Sequence, residues 1–69
     1  MHTQTKHRFI RIPEVISITG LSRSHIYDLI SKGAFPRQYK LGERASGWLE
    51  SEVSDWMELK ICESQKDVL

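Results

Sequence analysis

Sixty-nine residues make one small domain with little stability to spare after chain entropy, so its functional groups must lie near the surface. A single cysteine, Cys62, excludes an intramolecular disulfide framework, and no apolar run nears the roughly 20 residues that cross a bilayer. The net charge of +1 hides a division. Residues 1–44 carry eight Lys/Arg against three Asp/Glu, a balance of +5, whereas residues 45–69 carry two against six, a balance of −4. Such segregation suits a basic face toward a polyanion and an acidic back.

Residues 1–7 are polar, without a signal-peptide core, and read as a flexible N-terminal arm of a cytoplasmic protein with no membrane segment. His2 and His7 lack a Cys or carboxylate cluster at ligand spacing, so no metal site is expected. Lys6, Arg8 and Arg11 offer non-specific attraction for phosphates. Phe9-Ile10-Arg11-Ile12 alternates as an extended segment should, with Ile10 and Ile12 turned inward. Pro13 suits a first helical position and Glu14 the positive end of the dipole, predicting a helix over 13–19 with Val15 and Ile18 as its core pair. A helix of two turns must pack on a neighbour. Across Gly20 that neighbour is the next helix, giving a helix-turn-helix unit.

The second helix spans 22–32. Ser22 caps it, and Ile26, Leu29 and Ile30 form its buried stripe, leaving Arg23, Ser24, Tyr27 and Asp28 outside that stripe. Its first turn is polar, small and basic, as in a helix that presents side chains to the DNA major groove. Lys32 lies near the negative dipole end, Gly33 supplies a left-handed cap, and Pro36 redirects the chain after Phe35.

Segments 37–41 and 47–49 bracket the flexible stretch 42–46, predicting a two-stranded hairpin that reads as a wing, with Arg37, Lys40 and Arg44 facing phosphates or a minor groove. Trp48 and Leu41 are expected to finish the core from behind. Ser51 then resembles the N-cap of a third helix that covers the core with Val53, Trp56 and Met57, while Glu50, Glu52, Asp55 and Glu58 form an acidic outer face. The pattern fades beyond Lys60, so 61–69 is expected to fray. No carboxylate pair, nucleophile with a base, or glycine-rich phosphate loop stands out, and neither catalysis nor a cofactor is expected.

Glu14-Val15, the run Thr19-Gly20-Leu21-Ser22-Arg23-Ser24, Ile26-Tyr27-Asp28-Leu29-Ile30, Gly33-Ala34-Phe35-Pro36, Lys40-Leu41-Gly42-Glu43-Arg44, Gly47-Trp48 and Glu52-Val53 with Trp56 together resemble the AlpA family. That family comprises small DNA-binding proteins of prophages and genomic islands, related to phage excisionases and to the winged helix-turn-helix of MerR regulators. The likeness covers about residues 8–59. It implies a mainly α winged helix-turn-helix of three helices plus a two-stranded wing, with a DNA-binding domain over 8–60. It also implies a recombination directionality factor acting with an integrase, or a regulator of transcription. Carried over by position, Ser22, Arg23, Ser24, His25 and Tyr27 face the major groove, and Lys40 and Arg44 reach the adjacent backbone or minor groove. Leu49 stands where relatives often carry a basic residue, which removes a phosphate contact at that position.

On the recognition helix Arg23 alone can contact guanine bidentately, while Tyr27, Lys32, Arg37 and Lys40 are cast as phosphate contacts. Double-stranded DNA is thus the expected partner of a monomer that gains occupancy by binding adjacent repeats. Excision and transcriptional control use the same surface and stay open at this point. A third reading, from another class, is an adaptor whose acidic third helix contacts an integrase or the transcription machinery.

Overall fold

The computed structural model describes residues 7–67 and, for side chains, 7–65. Most of the N-terminal arm, together with Val68 and Leu69, lies outside the described residues. In chain order the elements are β1 (Phe9–Ile10), α1 (Ile12–Thr19), α2 (Arg23–Ser31), β2 (Tyr39–Gly42), β3 (Ala45–Leu49) and α3 (Glu50–Asp67). The fold is mainly helical, with three helices and a small antiparallel sheet.

Both glycine signals act as read. Gly20 closes α1 at φ 76°, its N–H donating to Ile16 O at 2.9 Å. Gly33, at φ 71°, ends α2 in a Schellman motif: its N–H donates to Ile30 O at 3.0 Å, and that of Ala34 to Leu29 O at 2.8 Å. At the other end of α2, Ser22 Oγ accepts from the His25 N–H at 3.1 Å.

The sheet has three strands, not the two of the predicted hairpin, in the order β1-β3-β2. Phe9 and Ile10 pair with Leu49 and Trp48, a non-local contact that a two-residue segment does not signal in the sequence. The Glu50 N–H continues this pairing by donating to Arg8 O at 2.8 Å, so α3 begins straight off β3 and Ser51 is not its cap. The hairpin turn is also tighter than expected, since Gly42, Ala45 and Ser46 belong to the strands and only Glu43 and Arg44 turn. Neither takes a positive φ, and the reversal is accompanied by a register shift between Lys40 and Gly42.

Ile10, Val15, Ile26, Phe35, Trp48 and Val53 form the core, with Ile12, Ile16, Leu21, Leu29, Ile30 and Trp56 packed around them. Two expectations are corrected. Ile18 is 44% exposed, since the inward flank of α1 beside Val15 carries Ile12 and Ile16 while Ile18 falls on the other side. Leu41, 40% exposed, sits at the register shift and leans over Gly47 instead of entering the core. Both indoles brace the loop after α2: Trp48 Nε1–H donates to Pro36 O at 3.1 Å and Trp56 Nε1–H to Ala34 O at 2.7 Å. The helix α3 runs past Lys60 to Asp67 because no Gly or Pro stops it. Lys60 supports it by pairing with Glu63 at 3.3 Å and lying over the Trp56 ring at 5.6 Å.

Candidate nucleic-acid interface

Ion pairing sorts the basic side chains into two groups. Arg8 is held by Glu14 at 2.9 Å and Glu50 at 3.0 Å, tying the segment before β1 to α1 and α3. Its guanidinium is thus shared between two exposed carboxylates that a phosphate would have to displace. Lys32 pairs with Asp28 one turn away at 3.0 Å, and Lys60 with Glu63. Arg11, Arg23, Arg37, Lys40 and Arg44 form no ion pair among the described residues and are all exposed. Unpaired exposed cations are what a polyanion can neutralise without displacing an internal partner.

Arg37, Lys40 and Arg44 come together with Ile30, Gln38 and Ser46 around an open concavity between the end of α2 and the hairpin. Arg44 and Ser46 also line a second one, shared with Arg11, Tyr27 and Trp48. The hairpin turn thus stands between two hollows beside α2. Tyr27 and Ile30 each line one of them, so the flank of α2 that they share runs along the hairpin. Arg23, one helical turn before Tyr27, extends this flank. The Tyr27 ring rests tilted against Trp48 at 6.2 Å between centroids, which fixes its direction.

The nine candidate residues do not share one face. Ser22, Arg23 and Ser24 stand at the first turn of α2, with the Ser22 oxygen engaged in capping. His25 and Lys32 lie roughly 160° and 140° around the helix from Tyr27, at about 100° per residue, on the flank away from the hairpin. Arg11 is absent from the nine and is the basic residue that sequence reasoning undervalued. Its place beside the hairpin follows from the β1–β3 pairing, which carries no strong local signal.

The acidic residues of α3 are partly occupied elsewhere. Glu50 holds Arg8, and Glu52 accepts from the Tyr39 hydroxyl at 2.9 Å, a bond that raises the Tyr39 pKa above its ordinary value, with smaller contributions from desolvation and the Glu52 charge. Among the described residues no cluster of three His, Cys, Asp or Glu side chains is placed to hold a metal, and no helix is long and apolar enough to cross a membrane.

A small domain of three helices and an antiparallel sheet thus carries exposed, unpaired cations at the β1–α1 junction, on α2, and in and before the hairpin. The chain belongs to the AlpA family: the family model described as Prophage CP4-57 regulatory protein (AlpA) matches residues 8–61. It is 57% identical over 53 residues to the uncharacterized protein ORF88 of Enterobacteria phage P4, covering 77% of this chain and 60% of that relative. It is 33% identical over 63 residues to the DNA-binding transcriptional activator AlpA of Escherichia coli (strain K12), covering 83% of this chain and 90% of that protein. The chain therefore spans less than two thirds of the phage P4 relative and nearly all of the Escherichia coli one. No solved structure matches it.

Proposed function

We propose that this chain is a sequence-specific double-stranded DNA-binding protein that regulates a prophage or genomic island. In this reading α1 and α2 are a helix-turn-helix, α2 is the recognition helix in the major groove, and the β2–β3 hairpin is a wing on the adjacent backbone. The observation that carries it is the set of unpaired cations, Arg11, Arg23, Arg37, Lys40 and Arg44, on α2 and around the hairpin beside it. Membership of the AlpA family supports it, as does its likeness to the Escherichia coli DNA-binding transcriptional activator.

Arg23 reads guanine from the first turn, supported by Ser22, Ser24 and His25, while Tyr27, Arg37, Lys40 and Arg44 hold phosphates. Lys32 joins them by leaving Asp28, an exposed pair that costs little to open. The working domain is 8–60, and the protein acts in the cytoplasm by binding, without catalysis or cofactor. A monomer binds each site and neighbours on adjacent repeats raise occupancy. The same surface serves a recombination directionality factor acting with an integrase. A protein contact of that kind, or with the transcription machinery, is favoured by Leu59 and Ile61 of α3, which are 54% and 53% exposed.

The test is selection of bound fragments from the host's sheared genome with purified protein at near-physiological salt. Enrichment at promoters of a mobile element supports regulation, and clustered repeats at its boundary beside an integrase gene support the excision role. No enrichment by folded protein would overturn specific DNA binding and leave the adaptor role on α3.

A further inference from the structure

The hollow shared by Arg11, Tyr27, Arg44, Ser46 and Trp48 differs from the neighbouring one in its chemistry. Its remaining lining residues are Ile12 and Pro13, and no carboxylate borders it, whereas Glu43 lines the other. Two arginines, a tyrosine and a serine therefore border a hollow whose lining includes no acidic residue. Neither arginine has an ion-pair partner, and the Tyr27 hydroxyl has no hydrogen-bond partner, among the described residues. Three separate elements supply these groups: Arg11 from the junction of β1 and α1, Tyr27 from α2, and Arg44 from the hairpin turn. The first turn of α1 also borders the hollow, adding the positive end of a helix dipole.

The geometry points to a seat for one DNA backbone phosphate, gripped jointly by Arg11 and Arg44 with the Tyr27 hydroxyl as a third donor. The seat rests on the DNA-binding reading and refines it. Arg44 becomes a backbone contact and does not enter the minor groove, and Arg11, which lies outside the helix-turn-helix, becomes a positioning contact that sets the register of α2 on the duplex. Three chain segments closing on one phosphate fix orientation better than three cations on separate phosphates, because the helix and the hairpin are then referred to the same point.

The experiment uses the full chain and the genomic duplex that it binds most tightly, prepared as a series with one neutral methylphosphonate linkage at a time. Wild type, Arg11→Gln, Arg44→Gln and Arg11→Lys are compared for affinity at each linkage, with circular dichroism confirming the fold. Arg11 is exposed and makes no side-chain capping bond, so its substitution spares α1. Neutralising one linkage is expected to weaken wild type about tenfold. The same linkage should become silent in both Arg11→Gln and Arg44→Gln, while Arg11→Lys keeps part of the response. If the two Gln variants silence different linkages, or Arg11→Gln responds as wild type does, the shared seat is overturned and the DNA reading stands. If wild type shows no salt-dependent duplex binding at all, the DNA reading itself falls and takes the seat with it.

Discussion

The salt dependence of duplex binding follows quantitatively from which cations are free. Each phosphate neutralised on B-DNA contributes about 0.9 to the slope of log affinity against log salt. With Arg23 on a base and Arg11 and Arg44 sharing one phosphate, Arg37, Lys40 and that shared seat predict a slope of about −2.7, and Lys32, if it leaves Asp28, brings it to about −3.6. Between 50 and 200 mM salt that amounts to a roughly 40- to 150-fold loss of affinity. Lys40→Ala, which removes an exposed hairpin cation without touching the core, should lower the slope by about 0.9 on every duplex alike. Lys60→Ala is the matched control, because Lys60 sits on α3 with Glu63 and over Trp56. Fluorescence anisotropy with a labelled duplex across a salt series measures both. A slope near zero, or equal slope losses for Lys40→Ala and Lys60→Ala, would refute the assignment of binding to the α2 and hairpin surface.

Arg23→Ala should cost about 1 to 3 kcal/mol of discrimination at one guanine while leaving preference at other positions intact, read by competition between the selected duplex and single-base variants. Gly33→Ala places a Cβ at φ 71° with nothing within 4 Å to clash, so the loss is one of backbone strain alone. About 1 kcal/mol, or a 4–8 °C lower Tm by circular dichroism, is expected. The raised pKa of Tyr39 makes its bond to Glu52 a stabilising contribution that is fully present below the unfolded-state value of about 10 and lost as pH rises through the folded-state value. Glu52→Gln should lower the Tyr39 midpoint toward its ordinary value in an ultraviolet titration, and an unchanged midpoint would remove Glu52 as the cause.

The first two helices, α1 and α2, were legible because their ends are written locally. Ser22, Gly20 and Gly33 each impose one backbone solution on their neighbours, and Pro36 closes off another. What escaped were choices settled by non-local packing. Gly42, Ala45 and Ser46 look like turn residues, yet only Glu43 and Arg44 turn. Periodicity made Ile18 as good a partner for Val15 as Ile16, and the side from which α2 and β3 pack decided between them. The candidate site divides in the same way. Its α2 and hairpin cations were visible as residues. The pairing of Arg8 with Glu14 and Glu50, and the hollow that brings Arg11 to Arg44, depend on β1 finding β3.

That two-residue strand therefore does more than add to the sheet. Arg8 and Arg11 flank it, and its docking sends them to opposite uses. Beyond one end, the Glu50 N–H meets Arg8 O, and the Arg8 guanidinium is drawn between Glu14 and Glu50. Beyond the other, the Arg11 stem passes Gly47. A Cβ built there would lie 3.6 Å from Arg11 Cδ and only 3.0 Å from both Ile10 O and Leu41 Cδ1. A side chain at Gly47 would press on the β1 backbone and crowd the Arg11 stem in one step, so the absence of a side chain there lets β1 close on β3 while Arg11 continues into the hollow beside Arg44. The pairing of β1 with β3 and the course of the Arg11 side chain are thus coupled through one glycine.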